Sequence, residues 1–391
     1  MADVASPRPW WSELSAVVPR SVAFARRAAR PERDATSPPP LAGNALAWAT
    51  VALDEFAVSA AYLLTRRSAE EVSEQSQENA AEALRLLRDA GVVDEPVRAH
   101  PEPAGPAAQR LTRRHRLGLD FEHLSFTSDY RPPVPLPGVD GWADDAGNTR
   151  AHAYLLRGGR ADRPCVVVLH GHRMGEPRDL RLLGSLRLHR DLDVDVAHLV
   201  LPMHGPRGRD RRSHPFPGLD PVANFLGMAQ AVSDTRALLA WLRGRGATRL
   251  GLFGVSLGGH VAAMVAGLDA SLDCVVAGVP TSDVATMLAD TMRARWGEEA
   301  VAASHVDDES FRGLSRLVSP LAFPARLPVD RRHLYAAVGD RLVTPQQALA
   351  LWHHWERCSI LWLQGGHIAN NVGASRRFVT DALAAGGVTG R

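Results

Sequence analysis

The stretch GVSLGG at residues 254–259 places one serine between two glycines, directly after an apolar run and directly before a helix-like run. In a tight strand-to-helix turn of this kind, Ser256 would project its hydroxyl above the edge of a sheet. Gly254 and Gly258 are needed there because a Cβ at either position would strike the neighbouring backbone. The helix that begins at Leu257 points its N-terminal amides at the same spot. The pattern predicts a nucleophilic serine whose reaction forms an oxyanion.

A nucleophilic serine needs a base, and the base needs an acid that orients it. Asp340 follows the apolar run HLYAAVG, and His367 follows SILWL within QGGH, so both come just after predicted strands. The carboxyl ends of parallel strands share one edge of a sheet, where open α/β sheets assemble their sites. The chain order serine, acid, histidine fits this architecture. We therefore predict Ser256 as nucleophile, His367 as base and Asp340 as acid.

Each assignment has an alternative. His367 could be a glycine-loop histidine without chemistry, and Asp340 could be a helix N-cap. Asp283, Asp307 and Asp308 are rival acids within a segment that we predict to be a lid. Position and chain order together favour the catalytic assignment.

A second oxyanion donor is expected from the loop VVVLHGHRMG at 166–175. The backbone amide of His172 would point at the oxyanion beside that of Leu257, and the amide of Arg173 is the alternative. We expect the imidazoles of His170 and His172 to pack rather than to catalyse.

The basic stretch LPMHGPRGRDRRSHPFPGLD at 201–220 leaves another predicted strand at the same edge. Its basic side chains would attract an anionic or carboxylate-bearing substrate, or else form a solvated basic loop. They are His204, Arg207, Arg209, Arg211 and Arg212. The histidines show no metal-ligand spacing such as HExxH, so no metal site is predicted, and nothing in the sequence calls for a cofactor.

Together GVSLGG, LHGH and the late Asp340 and His367 resemble the α/β-hydrolase superfamily over about residues 117–387. More narrowly, LPMHGPRG, GVSLGGHVA and GGH are similar to the α/β-hydrolase domain-containing protein 18 type. The resemblance implies the same three roles for Ser256, Asp340 and His367. It leaves the N-terminal third unexplained.

The 391 residues are enough for one large domain with an accessory segment. A formal net charge of +2, with every basic side chain an arginine, gives no sign of nucleic-acid binding. Cys165, Cys274 and Cys358 lie in or beside apolar runs, which favours buried free thiols in a reducing compartment. Without a visible secretory signal, we expect a cytoplasmic protein.

Short continuous apolar runs alternate with helix-length segments from about residue 117, which is typical of strands buried on both faces of a parallel sheet. This predicts an α/β-hydrolase fold: a mostly parallel twisted sheet with helices on both faces. The strands are expected at 119–128, 151–157, 165–170, 196–202, 249–255, 274–279, 333–339 and 359–363, and helices near 220–244 and 345–356.

Residues 1–116 are expected to form an N-terminal helical accessory segment with a linker, ahead of the hydrolase domain at 117–391. Residues 1–43 read as disordered at the start and 94–116 as the linker. The apolar stretch 44–65 carries Asp54 and Glu55 at its centre, which favours a buried or partner-facing helix over a membrane span. A capping-box pattern at 68–71 predicts a second helix ending near Gly91. These helices are candidates for contact between copies in a homo-oligomer.

The interval 280–328 is too long for a simple connection and predicts a helical lid, with one helix over 283–296. Val284, Met287, Leu288 and Met292 recur at helical spacing. Their face would either close over an acyl pocket, with Met287 touching substrate, or pack on the core.

These features predict a serine hydrolase that cleaves a small-molecule ester, thioester or amide through an acyl-enzyme. Acyl transfer and peptidase action would use the same three residues. A binding protein with this fold but without catalysis is the remaining alternative.

Overall fold

A mixed sheet of nine strands forms the centre of the described residues, which are 10–30, 37–69, 74–105, 109–138, 142, 147–160, 162–208, 216–369 and 372–390 of this computed structural model. The strands are β1 Arg110–Arg116, β2 Leu119–Thr127, β3 Arg150–Leu156, β4 Cys165–Leu169, β5 Asp195–Val200, β6 Leu250–Val255, β7 Cys274–Gly278, β8 Arg332–Ala337 and β9 Ser359–Leu363. Their order across the sheet is β1-β2-β3-β5-β4-β6-β7-β8-β9. The pairs from β1 to β3 and from β3 to β5 are antiparallel, and the others are parallel. The mostly parallel sheet is confirmed.

The edge strand β1 corrects the predicted linker. Residues 94–116 were expected to form a linker, yet Arg110–Arg116 pairs with β2 along its whole length. Leu117 and Gly118, both at positive φ, close the hairpin. Since both faces of this edge strand are largely exposed, its sequence RLTRRHR carries no apolar alternation that would reveal it.

Helices cover both faces of the sheet, as predicted. The described helices include α1 Trp10–Ser15, α2 Val17–Ala28, α3 Ala45–Ala69, α4 Glu74–Asp89, α5 Asp179–Leu182, α6 Ser185–Asp191, α7 Pro221–Gly244, α8 Leu257–Leu268, α9 Val284–Trp296, α10 Glu298–Ser304, α11 Glu309–Leu317, α12 Pro345–His354 and α13 Val372–Ala385. Helices α4, α7, α8, α11 and α12 share one apolar core with the sheet. Helices α6 and α13 share the core on its other face.

The N-terminal segment is helical earlier than predicted. Helix α2 lies inside the stretch 1–43 that was expected to be disordered at its start, and it buries Val17, Ser21 and Ala25 at four-residue spacing. Helix α3 continues through Ser68, so the capping-box assignment at that residue is wrong, and residues 70–73 lie outside the described part. Helix α4 ends near Gly91, as predicted.

Helices α2 and α3 pack together at the carboxyl ends of β8 and β9. Their shared cluster contains Ala25, Ala47, Val51 and Val338. Asp54 and Glu55 are fully buried in this packing. None of the described helices combines the length and hydropathy that crossing a membrane would need.

Between β7 and β8 the chain forms the helices α9, α10 and α11, which we call the lid. They have a small apolar cluster of their own, which includes Ala285, Ala289 and Phe311. Leu288 and Met292 pack against that cluster. Part of the apolar face predicted for 283–296 therefore holds the lid together.

The three cysteines are free and buried.

Candidate active site

Ser256 occupies the sharp turn between β6 and α8. Its φ of 56° and ψ of −116° are a strained conformation for a non-glycine residue. The turn closes because no side chain obstructs it: a Cβ on Gly254 would overlap the carbonyl of Gly258, and a Cβ on Gly258 would overlap that of Leu169. The predicted need for these two glycines is confirmed.

The structure brings the side chains of Ser256, His367 and Asp340 into one hydrogen-bonded chain. His367 Nε2 lies 3.0 Å from Ser256 Oγ, and His367 Nδ1 lies 2.6 Å from Asp340 Oδ2. Asp340 Oδ1 accepts the backbone N–H groups of Leu342 (2.9 Å) and Val343 (2.7 Å), so this carboxylate is held by donors on both oxygens. It accepts from His367 Nδ1–H, which leaves Nε2 as the acceptor that faces the serine.

The electrostatic surroundings of His367 favour its protonated form. Burial lowers the pKa of this imidazole, but the charge and hydrogen bond of Asp340 and the charge of Asp54 raise it by more, so that the pKa lies above its ordinary value. A base whose conjugate acid is stabilised in this way accepts a proton from a neighbouring hydroxyl more readily.

The three rival acids have other partners. Asp283 caps α9 by accepting from the backbone N–H of Thr286 (3.0 Å). Asp307 pairs with Arg312. Asp308 lies 2.8 Å from the imidazole of His305.

The turn after β4 lies directly beside Ser256. A Cβ built on Gly171 would lie 3.6 Å from the Cβ of Ser256. His170 is buried: its Nδ1–H donates to the carbonyl of Gly171 (2.8 Å), and its Nε2 accepts from the backbone of Leu201 (3.0 Å). These bonds give His170 the packing role that was predicted. Leu257 is the first residue of α8, so its N–H has no acceptor within the helix. The amides of Leu257 and His172 remain the predicted oxyanion donors.

Arg207 corrects the predicted anion site. Its side chain is buried, with an Nη1 atom 2.8 Å from Asp234 and an Nη2 atom 2.8 Å from the carbonyl of Asn148. The sequence shows that the loop is basic, but it does not show that Arg207 pairs with the buried carboxylate of Asp234. The other three arginines of that prediction lie outside the described residues. They are Arg209, Arg211 and Arg212.

His204 was also predicted to touch substrate, but its side chain is buried. His204 Nδ1 lies 2.8 Å from the carbonyl of Pro202, so this nitrogen is the donor, and Nε2 lies 3.4 Å from Nδ1 of His172. His204 thus lies beside the exposed imidazole of His172, and its contact with substrate stays a prediction. Within the described residues, no group of three or more His, Cys, Asp or Glu side chains is arranged to hold a metal ion.

A cavity of about 170 Å³ lies beside His367, between the sheet and the helices α6 and α13. Its apolar wall contains Leu183, Phe253, Val255 and Tyr335. Sequence analysis missed this cavity because its walls come from distant segments. Met287 does not line it; its Sδ lies 3.7 Å from the hydroxyl of Thr281, just after β7.

Sequence analysis also missed a role for Asp54. Its buried carboxylate, on α3, contacts the backbone of the loop that carries His367. The only signal was an acidic residue in the middle of an apolar helix.

Comparison with known sequences finds a family model and two related proteins. A family model described as "Alpha/beta hydrolase domain containing 18" matches residues 218–291, which include Ser256. Uncharacterized protein MT2702 of Mycobacterium tuberculosis strain CDC 1551 is 35% identical over 324 residues, 81% of this chain and 77% of that protein. Uncharacterized protein Rv2627c of strain H37Rv is 36% identical over 295 residues, 74% of this chain and 70% of that protein.

Solved structures show the same fold at low identity. Acetyl xylan esterase 1 from Thermoanaerobacterium sp. JW/SL YS485 matches with a TM-score of 0.52 and 16% identity, over 82% of this chain and 98% of that one. Acetyl xylan esterase from Paenibacillus sp. R4 matches with a TM-score of 0.50 and 15% identity, over 75% of this chain and 98% of that one.

The first prediction concerns the pKa of His367. NMR of isotope-labelled histidine should give a pKa above the ordinary value of about 6.5. In Asp340→Asn the negative charge is lost, and the pKa should fall. Asp283→Asn, which removes a carboxylate that caps α9, is the control and should leave the pKa of His367 at its wild-type value. An unchanged pKa of His367 in Asp340→Asn would contradict the pairing.

Proposed function

Because the chain belongs to the family of these two Mycobacterium tuberculosis proteins and has the α/β-hydrolase fold, we propose that it is a serine hydrolase that cleaves a carboxylic ester. The observation that carries the proposal is the hydrogen-bonded chain from Ser256 through His367 to Asp340. That the two solved structures of this fold are described as esterases supports the choice of an ester as substrate.

In the proposed reaction, Ser256 Oγ attacks the ester carbonyl carbon, and its proton passes to Nε2 of His367. The carbonyl oxygen becomes an oxyanion, which the amides of Leu257 and His172 stabilise. Collapse of this intermediate breaks the bond to the alcohol, which leaves with the proton from His367. Water then attacks the acyl-enzyme with the same base, and the carboxylic acid and free Ser256 are released.

Asp340 contributes by fixing the tautomer and orientation of the imidazole and by stabilising the imidazolium that forms. Its buried position strengthens this effect, because Coulomb interactions are weakly screened away from water. The raised pKa of His367 supports the assignment, since proton transfer from the serine requires a base that holds the proton during attack.

We further propose that the cavity beside His367 takes the acyl chain. Val255, which precedes the nucleophile, and His367 both line it, so a chain that leaves the acyl carbon has apolar surface within reach. Each methylene buried there would contribute about 0.8 kcal/mol, or roughly a fourfold gain in kcat/KM. The polar side of the cavity includes Arg187 and Arg376.

The second prediction tests the nucleophile and the acid. Ser256→Ala should abolish hydrolysis of p-nitrophenyl acetate while leaving the thermal unfolding midpoint close to that of the wild type. Asp340→Asn should lower kcat by about 10⁴-fold, because the imidazole then loses its correct tautomer. Asp283→Asn is the matched control, and it should keep wild-type kcat. Near-native turnover by Ser256→Ala would refute the proposal, and loss of turnover only in Asp283→Asn would move the acid to the lid.

The third prediction tests the acyl pocket. Leu183 is half-buried on the cavity wall, so Leu183→Phe should fill part of the space without opening the core. It should lower kcat/KM for p-nitrophenyl octanoate by at least about tenfold and leave the acetate ester within about twofold, as lost methylene contacts require.

Met287→Ser separates this cavity from the lid face that the sequence predicted. If the cavity holds the acyl chain, this variant should treat acetate and octanoate alike. A loss confined to octanoate in Met287→Ser, with Leu183→Phe unaffected, would place the acyl chain under the lid instead.

A further inference from the structure

Asp54 lies in the middle of α3, outside the sheet and its flanking helices, and its side chain is fully buried. Its Oδ2 atom accepts the backbone N–H groups of His367 (2.5 Å) and Arg341 (3.2 Å), and its Oδ1 atom accepts that of Ile368 (3.0 Å). Arg341 follows the proposed acid in the chain. One carboxylate thus bonds to both loops that carry the acid and the base.

We propose that Asp54 is a positioning residue that joins the loop after β8 to the loop after β9, and so holds His367 in hydrogen-bonding reach of Asp340. This inference rests on the proposed function, because it assigns a task to Asp54 within that catalytic site. It gives the N-terminal helices a role in the proposed catalytic site.

The close approach of α3 to both loops supports the proposal. A Cβ on Gly366 would lie 2.5 Å from Asp54 Oδ2, and a Cβ on Gly339 would lie 2.8 Å from Val51. Helix α3 therefore packs against Gly339 and Gly366, where the absence of a side chain leaves room for it. Between the loops themselves there is a direct hydrogen bond, from the N–H of Gly339 to the carbonyl of Gly365 (2.8 Å). This bond and the Asp54 carboxylate link the loops at neighbouring points.

The geometry requires a carboxylate. Both oxygens of Asp54 face backbone donors, so an amide at this position would turn its NH₂ group toward an N–H. Burial and the nearby charge of Asp340 raise the pKa of Asp54, although the three amide hydrogen bonds lower it. A buried carboxylate kept beside a second one is unfavourable for folding, and such groups cluster at functional sites.

The next residue, Glu55, extends the link to the lid. Its Oε2 atom lies 2.9 Å from the guanidinium of Arg341 and 2.9 Å from that of Arg295 on α9. Arg295 also donates to the carbonyl of Arg341 (3.3 Å). Helix α3 thus holds the acid loop through two successive side chains, one bonded to backbone and one to arginine.

A purely structural role for Asp54 would predict lost stability only. A positioning role also predicts a loss of kcat at unchanged KM, and this loss should appear even in a variant that keeps the charge which raises the pKa of His367. The charged groups around the base are Asp340 after β8 and Asp54 on α3, the ion-paired Glu55, Arg295 and Arg341 behind them, and Arg187 and Arg376 across the cavity.

The fourth prediction uses the full chain with Asp54→Asn. Turnover of p-nitrophenyl acetate should fall by about 10²-fold in kcat, with KM within about twofold, as for a misplaced catalytic group. The pKa of His367, read by NMR, should fall, since a negative charge is removed. The acid limb of the kcat/KM profile should therefore shift to lower pH, because the base stays neutral there.

Ser59→Ala is the matched control, since it removes another buried hydrogen bond of α3, from Ser59 Oγ to Glu13 (3.0 Å). It should leave kcat and the pKa of His367 at wild-type values. Asp54→Glu keeps the charge but moves the carboxylate, so it should lower kcat while the pKa of His367 stays raised. That variant carries the test if Asp54→Asn does not fold.

A folded Asp54→Asn with wild-type kcat and an unshifted pKa of His367 would overturn the inference. So would equal losses in Asp54→Asn and Ser59→Ala, which would make the effect one of stability. If Ser256→Ala hydrolyses as fast as the wild type, the proposed function fails instead. The NMR pKa in Asp54→Asn still decides whether Asp54 acts on His367 in that case.

Discussion

The hydrogen bond between His367 and Asp340 joins two loops whose residues are 27 positions apart in sequence, and much of the molecule is arranged to hold it. Each loop follows a strand of the parallel half of the sheet, so pairing of β8 with β9 already brings the loops to one edge. Strand pairing thus sets the approximate relative position of the two loops. The remaining adjustment, on the scale of a hydrogen bond, needs contacts made by the loops themselves. Val343 and Leu342 hold the acid from within its own loop, and α3 holds both loops from outside.

The nucleophile is held by a different means, which is close backbone packing. Ser256 sits at a turn where carbonyl groups of β4 and α8 occupy the space that side chains on Gly254 and Gly258 would need. Such strain persists only where the surrounding structure fixes it, and here the surroundings are fully buried elements of the core. The serine is thus set by steric exclusion, whereas the acid and base are set by hydrogen bonds that satisfy buried polar groups.

Sequence reasoning works where a pattern has a direct physical cause. The buried strands β4, β6 and β7 are continuous apolar runs because both of their faces are covered, and the glycines around Ser256 follow from the turn itself. Sequence reasoning fails where the partner of a residue lies far away in the chain. Nothing near Arg207 in sequence reveals that Asp234 lies beside it, and nothing near Asp54 reveals the loops it bonds to. Strand β1 was not predicted for a different reason: its residues are largely exposed, so the sequence has no apolar alternation there.

Buried ion pairs between arginines and carboxylates hold two of the loops near the candidate active site. Arg207 with Asp234 holds the loop after β5, and Glu55 with Arg295 and Arg341 holds the loop after β8. Burying such pairs gains little stability, because desolvation offsets much of the attraction. What they supply is geometry: a planar guanidinium offers several donors in fixed directions, so one side chain can bond a carboxylate and a carbonyl together. Arg207 does this with Asp234 and Asn148, and Arg295 with Glu55 and Arg341. Loops at the carboxyl edge of the sheet have no strand pairing of their own to hold them. The hydrogen bonds of these two guanidinium groups fix the positions of the loops instead.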